Sequence, residues 1–384
     1  MKRRLFLQAA LGGCAVVSAQ PRRRYRAALI GHTGAGNYGH EWDTAWNGLD
    51  FVEVVAVADV DEAGRRKAVE RSHAQRGYAD YREMLHKEKP DLVAICPRSP
   101  ELRVELITAA AKAGSHMLVE KPLARDLIEA DAIVRIGSEN HVKIEVGHVT
   151  RTAPGTERVR EMLHAGEIGV LQEMRARGKE DKRAGGEDMA VLGPHLFDLM
   201  RMFAGDPRWV FAHVTEDGRE IDRGRVGVPT EPVGPIAGNQ IAAMFAFDRG
   251  VHGYFGSKTS DVLTGSRFGL YLYGSKGVIF LPITEYPDGE PSVWKSASWR
   301  PDRRDSEWRR VEASTNERFD ARLKANVRMA ADLIDAVEKD RQPACSAVDG
   351  RWTVEMLQGV YLSQMRGGRV EFPLLERRHP LENL

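Results

Sequence analysis

Two residues of this chain combine a type able to move protons near neutral pH with a telling place in the sequence. Lys121 comes two residues after the apolar run His116–Val119, so it stands just past the carboxyl end of an expected strand. Burial or a neighbouring positive charge disfavours an ammonium and turns such a lysine into a usable base. His195 lies in Gly193-Pro-His-Leu-Phe-Asp198, and a neutral imidazole accepts a proton near pH 7. Asp198, three residues on, shares its helix face and is placed to orient His195 or to bind a hydroxyl. Arg151, Glu180 and Asp188 are weaker candidates for contact with a polar substrate. The bland alternatives are a surface lysine, a core histidine and solvated charges.

A third feature binds rather than reacts. An apolar run at residues 26–30 ends in Gly31-His-Thr-Gly34-Ala-Gly36-Asn37-Tyr38-Gly39-His40. Within it Gly34-x-Gly36-x-x-Gly39 matches the dinucleotide fingerprint. One glycine permits a tight turn, the next lets backbone approach a pyrophosphate, and the third lets helix and strand pack closely. A helix starting there would offer free N–H groups and a positive dipole to phosphate. A second apolar run at residues 51–58 closes with Asp59, twenty residues beyond Gly39, the spacing of a ribose-binding acid. A carboxylate there accepts from the 2′-hydroxyl and repels a 2′-phosphate, which predicts NAD in preference to NADP.

These residues need a frame, and the rest of the N-terminal half supplies one. Apolar strand-like runs at 91–96, 116–119 and 142–146 alternate with helical stretches at 101–114 and 127–137. That rhythm predicts an α/β fold with a doubly wound parallel sheet, whose ligands bind beyond the carboxyl ends of the strands. Pro97 and Glu120, which follow two of those runs, therefore join Lys121 as cofactor-side candidates. The second half reads differently. Residues 151–165 form a charged amphipathic helix. Runs at 241–247, 250–255, 268–273 and 277–281 read as consecutive strands with Gly-containing connections. Leu323, Val327, Ala330, Ile334 and Val337 recur at helical spacing.

Ala113-Gly114-Ser-His-Met-Leu-Val-Glu120-Lys121-Pro122 resembles the "AGxHVxxEKP" hallmark of the glucose–fructose oxidoreductase/inositol dehydrogenase family. Gly166-Glu-Ile-Gly169, the "GxHxxD" pattern around His195, Gly274-Ser-Lys-Gly277 and Ser346-Ala-Val-Asp-Gly-Arg351 are similar to further family features in the same order. The resemblance implies a Rossmann domain at 24–147. It also implies an α+β domain at 148–384 with an open, mainly antiparallel sheet, the last helices packing back on the first domain. It implies an NAD(P)-dependent oxidoreductase acting on the hydroxyl of a sugar, polyol or glycoside, and a homodimer or homotetramer through the sheet. In this reading Lys121 contacts substrate and cofactor, and His195 acts as base or orients the hydroxyl. Two positions depart from the pattern. Many members carry an aspartate four residues before the histidine, where this chain has Val191, so the Lys–Asp–His set is incomplete unless Asp188 or Glu187 enters from the preceding loop. A histidine common early in the helix after the third strand is Arg103 here. Two other functions therefore stay open: redox-neutral glycoside cleavage through transient oxidation, and nucleotide or sugar binding without catalysis.

Composition sets outer limits. The 384 residues carry a formal charge of +1 and 42% hydrophobic residues, an ordinary globular balance with no electrostatic case for nucleic acid. No apolar run after the N-terminus is long enough to span a bilayer. Cys14, Cys96 and Cys345 lack metal-ligand or disulfide-framework spacing, the twelve histidines are dispersed, and no metal is expected.

Residues 1–19 read as an address. Lys2, Arg3 and Arg4 precede a short apolar stretch that ends Val17-Ser18-Ala19, a signal-peptidase pattern. Arg3-Arg4-Leu5-Phe6-Leu7 resembles a twin-arginine export signal, which predicts a periplasmic or exported protein. Leu11-Gly12-Gly13-Cys14 loosely resembles a lipobox and offers lipid anchoring as the lesser alternative.

Overall fold

The computed structural model describes residues 23–222, 226–259, 267–283, 290–300, 307–311 and 321–382. The expected leader, with Cys14, lies outside the described residues.

The N-terminal strands are β1 (Tyr25–Ile30), β2 (Val52–Ala58), β3 (Arg76–Tyr78), β4 (Leu92–Ile95), β5 (His116–Val119) and β6 (Ile144–Val146). They form one parallel sheet in the order β3-β2-β1-β4-β5-β6. Helices on both faces explain why β1, β2 and β4 read as nearly unbroken apolar runs. Those helices are α1 (Glu62–Ser72), α2 (Tyr81–Glu88), α3 (Arg103–Lys112) and α4 (Leu127–Glu139). Their starts are written in the sequence: the carboxylates of Asp61, Asp80 and Asp126 accept from the backbone N–H of Gly64, Arg82 and Glu129, each such cap stabilising its helix by about 1 kcal/mol.

The second half opens with α5 (Pro154–His164), β7 (Leu171–Arg177), α6 (Gly186–Val191) and α7 (Gly193–Ala204). The expected helix over 151–165 starts late. Residues Val149–Thr152 form a 3₁₀ turn, and Pro154 at the first helical position keeps Ala153 extended. Then come β8 (Trp209–Glu216), β9 (Arg219–Glu220), β10 (Gln240–Ala246), β11 (His252–Lys258), β12 (Gly269–Gly274), β13 (Gly277–Pro282), β14 (Ser292–Trp294) and β15 (Arg309–Arg310). The strand expected at 250–255 begins two residues later because Gly250, at φ +75°, belongs to the preceding turn. The chain ends in α8 (Ala321–Glu338), α9 (Ala347–Arg366) and β16 (Val370–Glu371).

The second sheet is mainly antiparallel, with the path β15-β14-β13-β12-β7-β11-β10-β8-β16, and β7–β11 is its parallel pair. Its strands alternate: Ile241, Ala243 and Phe245 point into a core with α7 and α9, whereas Phe211 and Tyr254 stay on the open face. Met329, Ala330, Leu333 and Ile334 of α8 belong instead to the core of the parallel sheet. Because α9 packs on both α4 and β8, the two halves share one boundary, and the carboxyl ends of β4 and β5 face α6 and α7 across it. Fully buried aliphatic residues such as Val55, Val57 and Ile95 each stabilise that frame by roughly 1.5–3 kcal/mol.

Candidate active site

The glycine cluster sits where the strand order reverses between β1 and β4, the place where such sheets take their ligands. Gly36 has φ +93°, and a Cβ on it would stand 2.4 Å from the Arg98 backbone nitrogen. Gly39 has φ +60°, and a Cβ there would stand 2.5 Å from the Cys96 carbonyl oxygen. Both glycines therefore let the loop lie against the end of β4, where any L side chain would be strained and crowded. Asn37 takes a left-handed conformation and accepts from the Gly34 N–H at 3.0 Å. Nothing lies within 4 Å of where a Cβ on Gly34 would stand, so the loop presents bare backbone of the kind that admits a phosphate. Tyr38 is buried, its ring lying over Gly31. One expectation fails: no α-helix follows the loop, only a 3₁₀ turn, Trp42–Thr44. The helix-terminus donors foreseen for a pyrophosphate are absent there, because Trp42 and Trp46 are buried and set the chain's course. Asp59 closes β2, but its carboxylate turns into the loop, accepting from Thr33 N–H, Thr33 Oγ1 at 2.7 Å and Asp61 N–H at 3.1 Å.

The wall formed by β4 and β5 is braced by side-chain hydrogen bonds. Arg103 is fully buried and donates to the carbonyls of Pro97 (2.8 Å) and Glu120, clamping the exits of the two strands; burial brings its pKa down to about 10. The residue that breaks the family pattern is thus a brace. Glu120 accepts from the Trp42 indole and pairs with His40. Burial alone would raise its pKa, yet His40, Lys121 and Trp42 hold it at about 2. With both oxygens engaged, Glu120 supports the glycine loop rather than reaching a ligand, which corrects its expected contact role. Pro97 is likewise buried, with its carbonyl taken by Arg103.

Lys121 is 3% exposed and donates to the Val191 carbonyl at 3.1 Å. No carboxylate lies within ion-pair distance of its Nζ among the described residues. Burial lowers its pKa, with Arg183 and Arg98 acting the same way against Glu120 and Glu231. The position that lacks an aspartate therefore still holds the lysine, through a carbonyl at the end of α6.

Across from Lys121, α7 presents His195, whose Nδ1 is sealed and unpartnered. Burial, Lys121, His148 and His40 push its pKa well below 6.5. His148, just beyond β6, is 1% exposed with neither ring nitrogen partnered, and the two rings lie 5.5 Å apart between centroids. Burial likewise lowers the pKa of His148. Behind it Arg151 grips Asp198 through Nε (2.8 Å) and an outer nitrogen (2.6 Å). Arg151 and Asp198, both expected near substrate, are thus paired with each other. His148, Asp198 and Cys345 bring ligand-type atoms within 4.8 Å of one another, but the Arg151 guanidinium already occupies both carboxylate oxygens, so donor type alone does not make this a metal site.

Two other candidates are bound into the fold. Asp188 is fully buried and accepts from Ser257 Oγ (2.6 Å), Glu180 N–H and Lys179 N–H; Glu180 is 3% exposed and bound by Lys258 N–H and Arg177. Both lock the β7–α6 connection to β11. Glu187 accepts from Thr230 and the Glu231 N–H. Neither Asp188 nor Glu187 replaces the missing aspartate. A cavity of about 1030 Å³ lined by Arg151, Arg201, Arg341 and Asp349 includes neither Lys121 nor His195, so it lies behind the chemistry.

His148 and His40 were missed by the sequence reading, yet each had a signal: His148 follows the last parallel strand by one glycine, and His40 follows Gly39. Glu231 and Arg183, which pair at 2.5 Å near Lys121, come from irregular segments and carried none.

Comparison with known proteins gives a consistent picture. Residues 26–148 match the model of an oxidoreductase family with an NAD-binding Rossmann fold, and residues 156–280 match the GFO/IDH/MocA C-terminal domain; together they take in more than half of the chain. D-apiose dehydrogenase of Paraburkholderia graminis is 26% identical over 377 residues, spanning 93% of this chain and 92% of the relative. Myo-inositol 2-dehydrogenase of Thermotoga maritima is 25% identical over 65% of this chain and 74% of its own length. A levoglucosan dehydrogenase solved with NADH and levoglucosan superposes with a TM-score of 0.74 at 19% identity, covering 92% of this chain and all of that one. An Agrobacterium radiobacter oxidoreductase solved with NAD+, L-tartaric acid and magnesium gives 0.71 at 19% identity, covering 91% and 98%. At such identities the structural likeness speaks for the fold.

Proposed function

From the chain's membership of the GFO/IDH/MocA oxidoreductase family, with its NAD-binding Rossmann domain, we propose that it oxidises a secondary hydroxyl of a sugar, polyol or glycoside. Bound NAD would supply the hydride acceptor. The observation that carries the reading is Lys121: a buried ammonium of lowered pKa at the end of β5, opposite a buried neutral histidine and without a carboxylate. Deprotonated, Lys121 accepts a hydrogen bond from a substrate hydroxyl and holds it for proton transfer. His195 offers a second neutral acceptor on the facing wall. Gly34, Gly36 and Asn37 shape the loop against which the phosphates would lie, and Asp59 places negative charge where a 2′-phosphate would need positive. The named activities of the relatives, on apiose, myo-inositol and levoglucosan, support this class of substrate.

Val191 favours a second reading, redox-neutral cleavage of a glycoside through transient oxidation, since the usual carboxylate is missing. One experiment separates the two. The protein from residue 20 onward is purified, examined for retained nucleotide, and mixed with NAD and a panel of D-apiose, myo-inositol, levoglucosan and simple glycosides. NADH accumulating at 340 nm supports the dehydrogenase; bond cleavage without NADH supports the alternative; failure to bind either nucleotide sinks both. The basic-then-apolar leader supports a further part of the proposal, export through a twin-arginine route, and the open face of the second sheet supports association into a homodimer or homotetramer.

A further inference from the structure

We propose that His148 is the proton-accepting partner of His195, linked to it through a bridging water and backed by Asp198 and Arg151. The proposal rests on the oxidoreductase reading and names a residue that reading does not contain.

The argument starts from three unpartnered nitrogens. His195 Nδ1 and both ring nitrogens of His148 are sealed from solvent and make no hydrogen bond. Buried polar atoms are almost always satisfied, and an exception calls for a water, an ion or a role in chemistry. The rings are tilted by 55° with centroids 5.5 Å apart, and no direct bond joins them. A single water is the smallest group that can bridge the two rings, pairing His195 Nδ1 with one nitrogen of His148. His195 keeps 8% exposure although its Nδ1 is sealed, so its accessible edge is the opposite one. The imidazole therefore stands between the open site and the enclosed gap.

Beyond the gap Asp198 acts on His148 as a nearby negative charge, not through a hydrogen bond. His148 Nδ1 lies 4.0 Å from Asp198 Oδ2, and Arg151 fixes that carboxylate by two hydrogen bonds. The proton balance closes. The hydroxyl proton goes to Nε2 of His195. His195 releases its Nδ1 proton to the water, which passes one to His148. The resulting imidazolium is stabilised by Asp198, and the proton returns to solvent after product leaves. The charged and titratable groups around the pair are Lys121 at the end of β5, Asp198 on α7, Arg151 after β6, Asp349 on α9, Cys345 before α9 and His40 on the glycine loop. Lys121 and Arg151 oppose a resident charge on His148 and Asp198 favours one, which suits a proton that visits and leaves.

The test uses the full chain without its leader, labelled with ¹⁵N-histidine and saturated with NADH, in wild-type, His148→Phe and His148→Gln forms. The ring-nitrogen signals of His195 are expected to shift in both variants while NADH affinity stays unchanged. With a sugar that the wild type oxidises, His148→Phe is expected to slow the hydride burst about 100-fold, to alter the acid limb of its pH profile, and to recover in part with added imidazole. His195 signals identical in all three folded, NADH-binding proteins would overturn the proposal. So would a burst in His148→Phe as fast as the wild type's. If the wild type oxidises no sugar, the functional reading falls, while the nitrogen spectra still decide whether the two rings are linked.

Discussion

The two walls of the site treat their polar groups in opposite ways. On the Rossmann side Glu120 spends both oxygens on His40 and Trp42, and Arg103 braces two carbonyls. Across from it, Nδ1 of His195 on α7 and both ring nitrogens of His148, just beyond β6, have no hydrogen-bond partner. A satisfied network fixes geometry and is costly to break; an unsatisfied one leaves bonding capacity for something that arrives. The first wall therefore fixes its own geometry, and the facing histidines are where the proposed function puts substrate and proton traffic.

Lys121 is where the walls meet, and removing it should have the largest effect. Lys121→Met keeps the stem's packing and discards the amine that holds the hydroxyl. Turnover is expected to fall about 1,000-fold, roughly 4 kcal/mol of barrier, with NADH binding retained by fluorescence titration. Undiminished turnover would mean that neither wall works through the lysine. Next in size comes the brace. Glu120→Ala strands His40, Trp42 and the charge of Lys121, and should cost about 3–5 kcal/mol of folding stability in chemical denaturation. A loss below about 1 kcal/mol would show that the Rossmann wall does not depend on this network.

Acid should attack the other side. His148 and His195 are buried neutral, and so is His379, packed on Tyr361 of α9, with a pKa brought down by burial to about 4 from 6.5. Between those values the unfolded chain binds a proton that the folded chain refuses. Stability is therefore full above pH 6.5 and falls as pH drops toward 4, by on the order of 3 kcal/mol from His379 alone. His379→Phe should flatten that slope in urea midpoints measured from pH 7 to 4.5. An unchanged slope would place the acid sensitivity elsewhere.

The same contrast explains what the sequence could reveal. Apolar runs and helical stretches made five strands of the parallel sheet and two of its helices, α3 and α4, legible, since local pattern and burial agree there. The strand-end rule pointed to Lys121, and the resemblance to the family's GxHxxD pattern pointed to His195. Glu180, Asp188, Arg151 and Asp198 could not be placed because a charge reads the same whether it faces a substrate or locks two segments together; only the fold pairs Asp188 with Ser257 and Arg151 with Asp198. The helix expected after Gly39 failed because burial of Trp42 and Trp46 overrode the fingerprint. His148 was reachable by the strand-end rule, but its bare nitrogens are a tertiary fact.

The smallest expected effect concerns the loop between the walls. Asp59 accepts from Thr33 and Asp61, so its charge anchors the glycine loop, and the proposed NAD reading gives it a second task, repelling a 2′-phosphate. Asp59→Asn keeps the size but removes the charge and one acceptor oxygen. NADH affinity should drop as the loop loosens, while NADPH, relieved of repulsion, should drop less. The ratio of the two constants is expected to move about tenfold toward NADPH, roughly 1.4 kcal/mol, in paired fluorescence titrations. If the unmutated protein already binds NADPH as tightly as NADH, then Arg65, whose guanidinium reaches the Asp59 carbonyl at 2.6 Å, outweighs the carboxylate, and the acid at the end of β2 serves the loop alone.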